Sequence, residues 1–109
     1  MAAILVLENV IKEIVEYLEK GEEAVGAYIF GSMARGDYHL DSDIDILVVG
    51  KKNKEAQQKL AELASSLTEK YRVPVSVIFM DLEEWRNDAN PIVRTVKREG
   101  KKIWMRRQS

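Results

Sequence analysis

The chain has 109 residues, 46% hydrophobic and 32% charged, with a formal net charge of -1. That is enough for one compact domain, taken here as residues 1–109, and the near-neutral balance excludes attachment to nucleic acid by bulk charge. The absence of cysteine excludes disulfides and thiolate metal sites, and the single histidine, His39, excludes a multi-histidine site within one chain.

No apolar run approaches the roughly 20 residues that a membrane span requires. The run from Ala2 to Leu7 lacks a basic flank and breaks at Glu8, so it does not read as a signal peptide. A cytoplasmic protein is the expectation. The charge surplus is in Lys and Glu. One basic cluster, Lys97-Arg98 through Lys101-Lys102 to Arg106-Arg107, reads either as a solvated end or as a polyanion contact.

In chain order, a helix is predicted from about Ile4 to Lys20. Leu7, Val10, Ile11, Ile14, Val15 and Leu18 recur at three- and four-residue steps, and Gly21 is placed to end the helix. Ala24 to Phe30 is a continuous apolar run with aromatic and β-branched members, which reads as a buried strand. A short helical turn follows through Met33, Ala34 and Arg35, then a polar loop from Gly36 to Ser42. Asp43 to Val49 reads as a second buried strand, closed by Gly50.

Asn53 can cap a long helix reaching Tyr71, with Ala56, Leu60, Leu63, Ala64 and Leu67 on its apolar stripe. Pro74 to Met80 is a third strand, with proline at its opening. Asp81 and Glu84 form a capping pattern for a short helix. Asn90-Pro91 opens another helix, which runs to Glu99 and stops at Gly100. Ile103 and Trp104 suggest a last strand at a sheet edge. Helices alternating with strands predict an α/β (α+β) fold, in which helices pack against a small mixed sheet.

One stretch is unlike ordinary core. Asp43 and Asp45 sit two apart on a predicted strand, so both side chains point to one face, with Cα atoms about 6.6 Å apart. Ile44, Ile46, Leu47 and Val48 make that strand buried. Paired carboxylates in a poorly solvated place repel each other unless a cation joins them. Mg²⁺ suits one or two carboxylates completed by water and phosphate oxygens.

Just upstream, Gly31 lets backbone approach a ligand closely. Ser32 opens the helical turn, where N–H groups favour an anion. Arg35 offers a forked cation one turn later, or pairs with Asp37 or Asp41. Phosphates at the bend and metal on the next strand are a layout for nucleotidyl transfer. Taken singly, a Gly-Ser pair or an Asp-x-Asp strand end has an ordinary structural reading.

Gly31-Ser32, ten residues, then Asp43-x-Asp45 reproduces the signature of the polymerase β-like nucleotidyltransferase superfamily. The string GSMARGDYHLDSDIDILVV closely resembles the minimal nucleotidyltransferase (MNT) domains of bacteria and archaea. The resemblance implies a polymerase β palm-like fold over nearly the whole chain. It implies Mg²⁺ on Asp43 and Asp45, and a nucleoside triphosphate on Gly31 and Ser32. The family commonly carries a third carboxylate on the strand after the long helix. Here that stretch is Val75-Ser76-Val77-Ile78, with Ser76 in its place. Asp81, the next acid, reads as a helix cap rather than a catalytic group.

Two functions follow. One is Mg²⁺-dependent transfer of a nucleoside monophosphate, AMP from ATP, to a hydroxyl supplied by a second chain. The resemblance implies a small helical HEPN protein as that chain, in a toxin–antitoxin pair, with a toxin tyrosine as acceptor. The alternative is a nucleotide-binding adaptor that neutralises its partner by contact. A nucleic-acid polymerase is disfavoured, since no template-binding part is recognisable. The expected protein partner is that small helical protein or, alternatively, further copies of this chain in a homo-oligomer. Trp85 and Trp104 read either as core or as anchors of a chain–chain contact.

Overall fold

A computed structural model of the chain describes residues 2–36 and 43–107. In chain order the elements are α1 (Ala2–Lys20), β1 (Ala24–Phe30), β2 (Ile44–Gly50), α2 (Lys54–Tyr71), β3 (Val75–Met80), α3 (Leu82–Arg86), α4 (Pro91–Glu99) and β4 (Lys101–Met105). They match the predicted order. The boundaries differ by one or two residues: α1 begins earlier, and Asp43 stands immediately before β2 rather than within it. The polar loop expected from Gly36 to Ser42, His39 included, lies outside the described residues beyond Gly36.

The sheet order is β3-β2-β1-β4. β1 runs antiparallel to both β2 and β4, and β2 runs parallel to β3. The mixed sheet follows from the connections. A parallel pair needs a crossover, which α2 supplies. The last strand returns along β1 and forms an edge.

Side-chain alternation along β2 divides the core in two. Ile44, Ile46 and Val48 face α1 and α2, in a cluster with Val10, Ile14, Leu60 and Leu67. Leu47 and Val49 face α3 and α4, with Val93, Val96 and Met80. Both faces of β2 are covered, which is why its sequence is apolar from Ile46 to Val49 without a polar interruption.

The helix ends carry the expected chemistry. Asn53 accepts from the Ala56 N–H at 2.8 Å and Asn90 from the Ile92 N–H at 2.9 Å. Asp81 accepts from the Glu84 N–H at 2.8 Å while its own N–H donates to Glu84 Oε1 at 3.2 Å, a complete capping box. Asp81 is thus a cap. α2 ends on Arg72 in the left-handed region, φ 56°. Tyr71 donates its hydroxyl to Glu13, which Lys70 also meets at 2.9 Å, so α1 is tied to the end of α2.

Both tryptophans are partly buried and pack against the core. Trp85 stacks on Tyr28 with centroids 4.9 Å apart, and Lys97 Nζ lies over its ring at 5.0 Å. Trp104 packs against the α1–α2 side of the core. Two members of the basic cluster are engaged within the fold, while Arg98, Lys101, Lys102 and Arg107 are exposed. Lys97 pairs with Asp88 at 2.7 Å. Arg106 donates to the carbonyls of Leu18 at 3.0 Å, Gly21 at 2.6 Å and Ala24 at 2.8 Å. A cation at the C-terminus of α1 satisfies carbonyls that the helix leaves open.

Arg106 therefore closes the α1–β1 corner from the end of the chain. Replacing it with Ala should lower stability by about 2 kcal/mol, the scale of losing hydrogen bonds to a charged group. Urea unfolding measures this, and an unchanged midpoint would contradict it.

Candidate active site

β1 ends at Phe30, and the chain turns at Gly31. The N–H of Ala34 donates to the Gly31 carbonyl at 3.1 Å. That of Arg35 reaches the Ser32 carbonyl at 3.1 Å, and that of Gly36 the Met33 carbonyl at 3.3 Å. These bonds make the expected single helical turn. Met33 and Ala34 are buried and pin it to the core.

Phe30 pairs with Asp45 across the β1–β2 ladder, so the bend lies beside the second carboxylate. Gly31 has φ +81°, and a Cβ built there would come within 2.7 Å of Asp45 Oδ2. The positive φ favours glycine, and a side chain there would also displace the Asp45 carboxylate. The sequence motivated Gly31 by ligand approach. The nearest group it accommodates is the protein's own Asp45.

Asp45 shares its sheet face with Leu47 and Val49, at the end where that apolar row stops. It is half-buried, while Asp43 is exposed. Burial raises the Asp45 carboxyl above its ordinary value of 3.8, and repulsion from Asp43 raises it further. Asp43 thus acts on Asp45 by charge, although it precedes the strand on which the spacing placed both acids.

On the other side, Asp45 pairs in register with Ser76 of β3. The start of β3 is held by Thr68, whose hydroxyl accepts from the Val75 N–H at 2.9 Å and donates to the Ala64 carbonyl at 2.8 Å. Ser76 is exposed at the opening beside Asp45. Among the described residues no group of three or more His, Cys, Asp or Glu gathers as a metal cage. The donor set present, the half-buried Asp45 carboxylate with the exposed Asp43 two residues before it, fits a hard divalent cation that completes its shell with water and phosphate oxygens.

Arg35 was expected to reach phosphates or to pair with Asp37 or Asp41, both outside the described residues. Its Nη1 meets Glu99 Oε1 at 2.9 Å. Glu99 is 64 positions away in sequence, and no local signal links the two. A cavity of about 270 Å³ lies elsewhere, between the end of α1 and the start of α2. Ala24 and Phe79 place it at the opposite end of the sheet from Asp45, so it takes no part in this site.

The family described as polymerase beta, nucleotidyltransferase, matches residues 12–109. The chain belongs to the polymerase β nucleotidyltransferase family. Two proteins of Methanocaldococcus jannaschii are similar to this nucleotidyltransferase domain, both provisionally named protein adenylyltransferases. One is 36% identical over 77 residues, covering 70% of this chain and 74% of that protein. The other is 40% identical over 52 residues, covering 46% of this chain and 52% of that protein, so the match spans about half of that relative. Among solved structures, a chain from a toxin–antitoxin structure with AMP-PNP superposes with a TM-score of 0.66 at 26% identity. That superposition covers 93% of this chain and 75% of that one.

Two outcomes follow from the Asp45–Gly31 contact. The folded carboxyl of Asp45 holds its proton more tightly than the unfolded one, so its contribution to stability is lost as pH rises from 3.8 through the raised value. Asp45→Asn should therefore raise the Tm at pH 7, with the difference closing below pH 3.8; a Tm lowered at pH 7 would contradict the electrostatics. Gly31→Ala should cost at least about 1–2 kcal/mol from the positive φ alone, read by chemical denaturation.

Proposed function

We propose that this domain transfers AMP from ATP to a hydroxyl of a partner protein, with Asp43 and Asp45 as the metal-binding, catalytic carboxylates. The observation that carries the reading is the Asp45 carboxylate lying against the Gly31 bend. It brings the cation-binding and phosphate-binding halves of the motif within one residue's contact. Gly31 and Ser32 take the triphosphate through the bend. Arg35 contributes a cation to its phosphates. Mg²⁺, when bound, neutralises the phosphate charge and activates the attacking oxygen. The acceptor oxygen bonds to the α-phosphorus and loses its proton, and pyrophosphate leaves.

Ser76 bears on the acceptor. A neutral hydroxyl at that position is a poor base, so deprotonation has less help than in relatives with a third carboxylate. A phenol, with a pKa near 10, needs less help than an aliphatic alcohol. This favours a tyrosine as acceptor. The toxin–antitoxin relative solved with AMP-PNP supports ATP as donor and a toxin as partner. The MNT resemblance supports a HEPN-type helical protein in that role, within the cytoplasm.

The same Ser76 favours a second reading, an adaptor that holds nucleotide and silences its partner by contact alone. Purified protein with α-labelled ATP, Mg²⁺ and the helical partner separates the two. Label should move to the partner, and Asp43→Asn or Asp45→Asn should cut the rate by about 10²-fold or more, the scale of removing one preorganised electrostatic contact at the reacting centre. EDTA should abolish it. Ser76→Asp should increase the rate. A partner silenced equally by wild type and by the Asn variants, with no label moved, would establish the adaptor.

A further inference from the structure

We infer that Glu99, the last residue of α4, is a positioning residue for the nucleotide site, acting through Arg35. The inference rests on the nucleotidyl-transfer reading and names a residue the motif does not contain. Arg35 sits on an exposed turn, with a long stem and many rotamers to lose on binding. Glu99 lies on firmer ground. The next residue, Gly100, donates its N–H to the Val96 carbonyl at 2.8 Å. A Cβ at Gly100 would come within 2.6 Å of that carbonyl and 3.2 Å of the Ile29 carbonyl. The end of α4 is thus pressed onto β1 two residues before Gly31.

From that anchor, Glu99 Oε1 meets Arg35 Nη1 at 2.9 Å. α4 covers the sheet face on which Asp45 lies, so the contact draws the guanidinium toward that face. The Arg35 side chain is 48% exposed and that of Glu99 25%, so solvent screens the pair and its effect is modest. Arg98 Nη2 lies 3.9 Å from the other Glu99 oxygen and supplies a control for charge on the same helix end.

The test is binding of AMP-PNP with Mg²⁺ by calorimetry at fixed salt, together with the split between KM for ATP and kcat. Glu99→Gln should weaken binding and raise KM by about three- to fivefold with kcat nearly unchanged, the range of one partly exposed ion pair. Glu99→Asp, which keeps the charge, should bind within about twofold of wild type, and Arg98→Gln should match wild type. Arg35→Ala should weaken binding, and adding Glu99→Gln to it should cost nothing more. A purely structural role for Glu99 would instead leave the same loss in the Arg35→Ala background. That additive result, or unchanged binding in Glu99→Gln, overturns the inference while leaving nucleotide transfer intact. Wild-type protein that binds no AMP-PNP overturns the nucleotide reading, and the inference falls with it.

Discussion

A carboxylate pressed against a glycine organises this end of the molecule. A Cβ at position 31 would come within 2.7 Å of Asp45 Oδ2. The contact costs something in isolation, because the carboxylate is half-desolvated and faces a second acid. It is tolerated because the strand that carries it is overdetermined. Ile44, Ile46, Leu47 and Val48 are fully buried, and the strand pairs on both sides. A well-packed strand can hold an unfavourable charge at its end, and a cation arriving there turns repulsion into coordination.

The remainder of the fold serves that placement. α2 carries the chain back so that β3 runs parallel to β2, and Thr68 and Arg72 set where β3 starts. That register brings Ser76, rather than an apolar neighbour, beside Asp45. α4 ends against β1 and delivers Glu99 to Arg35. Arg106 closes the far corner by capping α1. Each element that looks merely structural fixes the position of one polar group near the bend or holds the scaffold that does.

The arrangement also accounts for what the chain supplies and what it leaves to others. On the proposed reading, two acids, a bend and one arginine hold a metal–triphosphate pair whose phosphates complete the shell. They do not suffice to deprotonate a reluctant acceptor. On the same reading, an acidic hydroxyl on a partner chain would complement Ser76. The domain carries few exposed hydrophobic side chains, Ile4 and Leu5 on α1 among them, and no described helix is long and apolar enough to cross a membrane.

Local pattern determined most of the architecture. The three- and four-residue apolar steps, the Asn53, Asp81 and Asn90 caps and the apolar strand runs specify elements through contacts between near neighbours in sequence. The spacing of Gly31-Ser32 and Asp43-x-Asp45 made the family legible too, and the period of two along β2 puts Asp45 on the face of Leu47 and Val49. The tertiary structure alone decided which distant residues meet. Glu99 and Arg35 are 64 positions apart, Arg106 caps a helix at the other end of the chain, and Gly31 yields its space to Asp45. These contacts depend on strand register and helix docking, which the whole core sets at once and no short stretch encodes.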